Sequence, residues 1–309
     1  MMGQKISTMI KKSDEMYLIV GANGFIGSYA IRAILEKTSA VILAADKNIA
    51  GKENEERIQW VSCDVTVHED IVRLNEICSR WKIVKVLYLA AYHAPDLVRQ
   101  FPKIAWNINV TALADFVNTM DNITCLFYSS TEMVYGAGHL NEKFKEESQL
   151  APVNLYGKNK VVAEAIVKGY GYNVLRFPFL IGPSIVEGRK SFYDLIVETI
   201  NSGNSIEMFS DALKTALDFE TLANTVICLM KAYNSDMPQT LNIAGDEVLS
   251  KYDIGLMIAE KYNCDSNLIV PISVNDDTKI FVEKRADCTL LDNSLVKKVL
   301  GLDVLKLNF

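Results

Sequence analysis

Short apolar runs recur along the chain and alternate with stretches in which apolar residues return at helical spacing. The apolar runs, which have strand character, fall at 17–20, 40–45, 58–62, 84–90, 124–129, 172–177 and 240–243. The stretches of helical spacing between them fall at 28–37, 69–81, 104–120 and 154–169. Strands that alternate with helices indicate a parallel sheet covered on both faces. We therefore predict an α/β fold with a doubly wound parallel sheet.

This rhythm changes after Pro183. Helical segments near 191–202, 218–233, 250–263 and 292–300 interrupt short strands there. The change predicts a main domain at 16–183 and a smaller, substrate-binding C-terminal lobe at 184–309, with segments near 214–245 returning to the main domain. Residues 1–15 are polar and basic, and we expect a short extension there.

The first strand runs into a glycine-spaced turn with the sequence GANGFIG at 21–27. Gly21 allows a sharp turn, Gly24 lets backbone approach a phosphate, and Gly27 lets the next helix pack closely on the sheet. A helix that begins near Phe25 directs unpaired N–H groups and the positive end of its dipole at the same point. The pattern predicts a Rossmann-type site for a dinucleotide. A strand, turn and helix without any ligand is the alternative.

An acid follows the second strand. Asp46 comes 19 residues after Gly27, the distance at which a carboxylate accepts hydrogen bonds from the ribose of a dinucleotide. A 2′-phosphate would be repelled there, so we expect NAD rather than NADP. Lys47, the next residue, weakens that preference.

Composition excludes several classes of partner. The chain has 309 residues and a net charge of −6 without a basic block, which argues against nucleic acid. No apolar run approaches the roughly 18 to 20 residues that span a bilayer, so we expect no membrane partner. The six cysteines show no CxxC pairing and indicate thiols in a reducing, cytoplasmic setting. His68 and His139 have no ligand-like neighbours in sequence, and we predict no metal site.

A tyrosine and a lysine stand four residues apart at the start of a helical stretch. Tyr156 and Lys160 would project from one helix face, after a strand that ends near Thr131. Moving a hydride to or from a carbonyl carbon requires moving a proton on its oxygen, and free tyrosine, with a pKa of about 10, is a poor base. A nearby ammonium and a positive nicotinamide ring would lower that pKa by about 3. The alternative is a packed tyrosine beside a solvated lysine.

Further short motifs complete a family pattern. They are Asp64-Val65, Leu89-Ala90-Ala91, Asn109-Val110, SSTEMVYG at 129–136, YGKNK at 156–160, Leu175-Arg176, Leu241-Asn242-Ile243-Ala244-Gly245 and Arg285-Ala286-Asp287. In order and spacing the chain resembles the extended branch of the short-chain dehydrogenase/reductase superfamily, which acts largely on nucleotide-linked sugars. Its motifs are most similar to those of 4-keto sugar reductases of the dTDP-4-dehydrorhamnose reductase type.

The resemblance implies roles for individual residues. Tyr156 would be the acid/base, Lys160 would hold the nicotinamide ribose, Thr131 would bond the reacting oxygen and Asn109 would support the lysine. The implied cofactor-binding set is Gly21, Asn23, Gly24, Phe25, Ile26, Gly27, Asp46, Lys47, Asp64, Val65, Leu89, Ala90, Ala91, Tyr156, Lys160 and Phe179. The expected substrate-binding set is His93, Thr131, Glu132, Met133, Arg189 and Arg285, with Arg285 suited by its planar fork to grip a diphosphate.

The pair Glu132-Met133 restricts the class of reaction that we expect. The family's sugar dehydratases carry an Asp-Glu pair there, and a thioether cannot take a proton from carbon. We therefore expect interconversion of a secondary alcohol and a ketone on a nucleotide-linked sugar. A 4-epimerase that retains its NAD, and a non-catalytic dinucleotide-binding regulator or scaffold, remain alternatives. Glu132 is either a substrate contact or an ordinary polar residue, and His93 either a site residue or a packing residue.

The stretches at 104–120 and 154–169 carry apolar residues on more than one face. In the resembling family these two helices pair across a twofold axis, so we expect a homodimer. Core packing is the other explanation of the pattern.

Overall fold

A seven-stranded, all-parallel sheet forms the centre of the molecule. The computed structural model describes residues 14–275 and 282–309. The strand order is β11-β6-β5-β4-β1-β2-β3. β2 and β3 lie on one side of β1, whereas β4 and the later strands lie on the other, so the order of strand addition reverses between β1 and β4. In open α/β sheets a crevice for ligands forms at the carboxyl ends of the strands at such a reversal. Of the expected extension, residues 1–13 lie outside the described part, and Glu15 already begins β1.

The predicted strands and helices are present with small shifts of their ends. The strands are β1 (Glu15–Val20), β2 (Val41–Asp46), β3 (Ile58–Ser62), β4 (Ile83–Tyr88), β5 (Cys125–Thr131), β6 (Asn173–Phe177), β7 (Leu180–Ile181), β8 (Ile206–Phe209), β9 (Leu213–Lys214), β10 (Leu217–Asp218), β11 (Thr240–Asn242), β12 (Leu249–Ser250), β13 (Ile269–Ile272) and β14 (Cys288–Thr289). The helices are α1 (Phe25–Lys37), α2 (His68–Cys78), α3 (Pro95–Gln100), α4 (Pro102–Trp106), α5 (Ala112–Thr119), α6 (Leu155–Gly169), α7 (Phe192–Asn201), α8 (Phe219–Ala232), α9 (Lys251–Lys261) and α10 (Ser294–Leu300).

Each face of the sheet buries its own apolar core. In β1, Tyr17 and Ile19 lie in one core together with residues of α1 and α8. Met16, Leu18 and Val20, on the opposite face, lie in the second core with residues of α2, α5 and α6. Successive side chains of a strand point to opposite faces, so a strand covered on both sides is apolar throughout. The doubly wound α/β fold predicted from the sequence is confirmed.

The chain after β7 builds smaller elements. β8 and β13 pair in parallel, and α7 and α9 enclose a third core around them. β9 lies between β12 and β14 in a three-stranded sheet. β11 leaves this region and pairs with β6 at the edge of the main sheet, while α8 packs against α1. The two parts of the molecule are therefore interleaved along the chain.

The segment predicted as one helix at 104–120 is divided. α4 is followed by a π-helical turn, Asn107–Thr111, and then by α5. π-turns widen a helix locally and are frequent at functional sites. Asn109, one of the expected site residues, is buried within this turn.

Candidate active site

The glycine turn packs directly against the loop that follows β4. Gly21 has φ +89°, and a Cβ on it would lie 2.8 Å from the backbone N of Ala90. A Cβ on Gly27 would lie 2.5 Å from the carbonyl oxygen of Ala22. Both positions therefore require glycine on steric grounds. Leu89 and Ala90 therefore lie in close contact with Gly21 at the glycine turn.

Asp46 stands at the carboxyl end of β2, next to this turn. Its Oδ2 accepts a hydrogen bond from the backbone N of Asn23 at 2.9 Å, and its Oδ1 accepts one from the N of Asn48 at 3.0 Å. A carboxylate has about four lone-pair positions, so these bonds leave capacity for hydroxyl donors. The Lys47 ammonium lies 2.7 Å from Asp64, and the two opposite charges compensate each other.

Arg189 lies at the glycine turn. Its Nη1 donates to the carbonyl oxygen of Asn23 at 2.9 Å, and its guanidinium carbon is 4.9 Å from the ring centre of Phe25. The sequence placed Arg189 with the substrate-binding residues, and in the structure its guanidinium contacts Asn23 and Phe25 of the expected cofactor set. Phe25 itself stacks on Phe219 at the start of α8.

Tyr156 and Lys160 are both buried on α6. The helix is capped by Asn154, whose side chain accepts from the N of Gly157 at 2.8 Å. The Lys160 Nζ donates to the carbonyl oxygen of Ser129 at 2.7 Å and lies 5.7 Å from the centre of the Tyr156 ring. The lysine therefore joins the helix to the end of β5, beside the phenol.

Burial dominates the ionisation of this pair. It raises the pKa of Tyr156 above its ordinary value of 10.0. It lowers the pKa of Lys160 to about 7, against the opposing charge of Glu164 one turn along the helix. The sequence led us to expect an ammonium that lowers the pKa of the phenol. Desolvation instead raises the pKa of the phenol and lowers the pKa of the ammonium, so it favours the neutral form of both groups. Burial, and then the charge of Lys160, lowers the pKa of His93.

Thr131 and Asn109 border the same region. Thr131 ends β5, and its hydroxyl oxygen accepts a bond from the N of Met133 at 3.3 Å. The Asn109 amide accepts from the N of Tyr92 at 2.8 Å and donates to the O of Tyr92 at 3.0 Å. Asn109 thus fixes the loop that carries Ala91 and His93. Its support of Lys160 stays a prediction.

A cavity of about 610 Å³ lies next to the cluster that contains Tyr156, and Met133 connects the two. Met133 both lines the cavity and packs in the cluster that contains Tyr156. Other lining residues are Glu132, Phe179, Lys214, Lys251 and Arg285. Cationic, acidic and apolar side chains therefore surround a space large enough for a small-molecule ligand, since Glu283 and Asp287 line it as well.

Glu132 is buried in the wall of this cavity. Its Oε2 accepts from the backbone N of Phe179 at 3.0 Å, and its Oε1 lies 3.5 Å from the Nζ of Lys214. Burial raises the pKa of the Glu132 carboxyl, against the charge of Lys214. The carboxylate connects the end of β5 to the segment that carries Phe179.

Sequence reasoning missed several residues in and beside the cavity. Lys214, Lys251 and Glu283 line the cavity, and Asp96 accepts a hydrogen bond from the backbone N of Glu283. These four residues come from distant parts of the chain and carry no local motif. One signal was available, since Ser250 followed three residues later by Asp253 forms a capping box that marks Lys251 as the first residue of a helix.

A buried ion pair beneath the site was also missed. Glu164 and Arg176 are 2.7 Å apart, and their side chains are 1% and 2% exposed. Ser130 donates to Glu164, and the Nη1 of Arg176 donates to the Tyr135 hydroxyl at 2.6 Å. The position of a glutamate four residues after Lys160 in an apolar helix was the available signal.

Residues 14–275 and 282–309 contain neither a candidate membrane-spanning helix nor a candidate group of metal ligands. Within these ranges no helix has the length and apolar character needed to cross a bilayer. Across the same ranges, no three His, Cys, Asp or Glu side chains are grouped so that they could hold a metal ion.

Residues 15–305 match the family described as RmlD substrate binding domain. The chain belongs to this family. The expected membership of the extended short-chain dehydrogenase/reductase proteins, in their RmlD-like branch, is thereby confirmed.

Two curated relatives match most of the chain. The "Probable low-salt glycan biosynthesis reductase Agl14" of Haloferax volcanii is 26% identical, and the match covers 93% of each protein. "Methionine adenosyltransferase 2 subunit beta" of Danio rerio is 26% identical over 84% of this chain and 80% of that protein.

Solved structures share the fold. The protein MoeE5 in complex with UDP-glucuronic acid and NAD has a TM-score of 0.76 at 19% identity, with 93% of each chain covered. A dTDP-4-dehydrorhamnose reductase of Bacillus anthracis in complex with NADP has a TM-score of 0.76 at 18% identity, covering 94% of this chain and 95% of that one. One of these structures contains NAD and the other NADP. At these identities the likeness concerns the fold alone.

Proposed function

We propose that the protein is an NAD-dependent oxidoreductase that reduces a keto group on a nucleotide-linked sugar. The observation that carries this proposal is the placement of Tyr156. Its phenol belongs to a helix that Lys160 ties to the end of β5, and it packs against Met133 in the cavity wall. We therefore take Tyr156 as the proton donor, next to the wall of a cavity that suits a small molecule.

The chain's own residues supply the proton chemistry. A bound dinucleotide would supply the redox chemistry, as NADH when a hydride is given to the carbonyl carbon and as NAD⁺ when one is accepted from it. Tyr156 gives its phenolic proton to the carbonyl oxygen during reduction and takes it back during oxidation. The raised pKa of Tyr156 keeps the phenol protonated at neutral pH, which suits reduction. Lys160 holds the nicotinamide ribose, and the Thr131 hydroxyl hydrogen-bonds the reacting oxygen.

The residues around the glycine turn favour NAD over NADP. Asp46 faces the turn with a carboxylate that accepts hydroxyl donors and repels a phosphate. The Lys47 charge, which would attract a 2′-phosphate, is compensated by Asp64. Arg189, bonded to the turn at Asn23, would add a charge for the dinucleotide diphosphate beside its expected contact with the substrate.

The cavity supports a nucleotide sugar as substrate. Lys214, Lys251 and Arg285 line it and supply positive charge for a diphosphate. Phe179 and Phe209 add aromatic walls that suit a base or a sugar ring. The substrate pocket is thus distinct from the glycine turn that holds the cofactor.

The experiment follows the NADH absorbance while purified protein is supplied with 4-keto and 4-hydroxy nucleotide sugars. A reductase consumes one NADH per product. Turnover without a net change in NADH would show a 4-epimerase instead. A UDP-glucose 4-epimerase among the relatives supports this alternative. If a Tyr156→Phe variant keeps the full biological effect, the protein has a regulatory role instead. The relatives named methionine adenosyltransferase 2 subunit beta support this second alternative.

We extend the proposal to a cytoplasmic homodimer that forms through α4 and α6. These helices pack on each other, and Ile104, Trp106 and Val162 are 50%, 47% and 38% exposed. A second copy would cover these apolar side chains. Analytical ultracentrifugation of the purified protein measures the oligomeric state, and a monomer at all concentrations contradicts this part of the proposal.

A further inference from the structure

Residues 283–285 cross from the C-terminal part of the chain to α3. The backbone N of Glu283 donates to the Oδ1 of Asp96 at 2.8 Å, and the Nη2 of Arg285 donates to the Oδ2 of the same carboxylate at 3.0 Å. Asp96 lies in the first turn of α3, where a negative charge is favourable. One carboxylate thus binds both the backbone and the arginine of the crossing segment.

The same segment also binds the start of α6. The Oε1 of Glu283 accepts from the backbone N of Leu155 at 3.3 Å, and the Asn154 amide donates to the O of Lys284 at 3.2 Å. Leu155 is the first residue of α6 and precedes Tyr156. The N–H groups of a helix's first turn have no partner within the helix, so the Glu283 carboxylate satisfies one of them. We call residues 283–285 the strap.

The Arg285 guanidinium is held at two of its nitrogens. Its Nη1 donates to the carbonyl oxygen of Glu283 at 2.9 Å, and its Nη2 binds Asp96. Arg285 lines the cavity, whereas Asp96 does not. A planar guanidinium fixed at two of its nitrogens presents a defined face, which costs less side-chain entropy when an anion binds.

We propose that Asp96 is a positioning residue that orients Arg285, through the strap, for the diphosphate of the substrate. This inference rests on the proposed function, because it takes the cavity as the diphosphate site. It adds a residue outside the cavity that sets substrate affinity. The strap also joins that residue to the helix of the proton donor, so binding at Arg285 and the placement of Tyr156 share one support.

The test measures binding of UDP and of dTDP by calorimetry to wild type, Asp96→Ala and Asp96→Asn. We expect the Kd of the better nucleotide to rise about tenfold in Asp96→Ala and less in Asp96→Asn, whose amide oxygen still accepts from Glu283. In turnover, KM for the nucleotide sugar should rise by a similar factor while kcat stays within about twofold. NADH affinity should be unchanged. The matched control is Asp14→Asn, which removes an exposed ion pair with Lys82.

A double-mutant cycle separates positioning from general damage. If Asp96 acts through Arg285, then Asp96→Ala causes no further loss in an Arg285→Leu background. Additive losses, or an Asp96→Ala variant that binds nucleotide like wild type, overturn the inference alone. An equal loss of NADH binding also overturns it, since that marks structural damage. A wild-type protein that binds neither UDP nor dTDP overturns the proposed function together with it.

Discussion

At the residue scale, burial favours the neutral form of both central side chains. It raises the pKa of Tyr156 and lowers that of Lys160 to about 7. A neutral phenol is a proton donor, which is the form that reduction of a ketone requires. A lysine whose pKa is close to neutral changes its charge in the pH range where the protein would work. The two residues were predicted from their spacing, but this shared desolvation is visible only in the folded chain.

The Tyr156→Phe substitution removes the hydroxyl and little else. We expect kcat for the keto sugar to fall by roughly 10² to 10⁴, the usual contribution of a positioned acid or base. NADH affinity should stay close to that of wild type. Steady-state kinetics and calorimetry measure the two quantities. Tyr170→Phe, which changes a half-exposed tyrosine on the far end of α6, is the control, and equal losses in both variants would contradict the assignment.

The lowered pKa of Lys160 also affects stability. The folded protein loses this proton near pH 7, whereas the unfolded chain keeps it up to the ordinary value of 10.5. Between these values the unfolded state binds more protons, so this side chain makes stability rise with pH, and its cost is complete below about pH 7. Lys160→Met should therefore gain most, relative to wild type, at about pH 6 and least at about pH 9. Thermal unfolding measures the difference, with Lys82→Met as an exposed control, and a pH-independent difference would refute it.

At the element scale, periodicity predicted most boundaries because the sheet is covered on both faces. The strand at 58–62 is present as predicted, and the one expected at 84–90 is β4, Ile83–Tyr88. The helix from 104 to 120 was predicted as continuous, since its apolar spacing continues through the π-turn at Asn107–Thr111. Within this turn Asn109 makes a tertiary contact, its two bonds with Tyr92. Periodicity cannot register such a contact.

Loss of either partner of the buried pair between α6 and β6 should destabilise the protein strongly. Glu164→Gln leaves the Arg176 charge buried without its carboxylate, and we expect a loss of about 3 to 5 kcal/mol in the free energy of unfolding. Chemical denaturation measures this loss. A Glu164→Gln, Arg176→Met double variant should recover part of it. Glu220→Gln breaks the exposed pair with Arg32 and should cost less than about 1 kcal/mol. Equal costs for the two single variants would show that burial is not the cause.

At the scale of the whole molecule, the two ends of the candidate site differ in how far sequence reveals them. The cofactor side is built by contiguous motifs, so Gly21, Gly27 and Asp46 could be placed from spacing alone. The cavity is assembled from Lys214, Lys251 and other residues that meet only through the fold. Arg189 was predicted on the substrate side, and the fold brings its guanidinium to the glycine turn as well.

The last residues of the chain connect two of its cores, and this connection predicts how the molecule unfolds. Leu305 is buried in the core shared by β1, α1 and α8, whereas Leu307 is buried in the core around α7 and α9. Each Leu→Ala change should lower the free energy of unfolding by about 2 to 5 kcal/mol.

All three tryptophans, Trp60, Trp81 and Trp106, precede α5, so their fluorescence reports on the main sheet and its helices, while far-ultraviolet circular dichroism reports on the whole chain. In wild type we expect both signals to change together with denaturant. In the Leu305→Ala, Leu307→Ala double variant the dichroism should begin to change first, because the elements around α7 and α9 lose their tie to the main sheet. Coincident transitions in that variant would mean that the contacts of β9, β10 and β11 are enough to keep the two cores one cooperative unit.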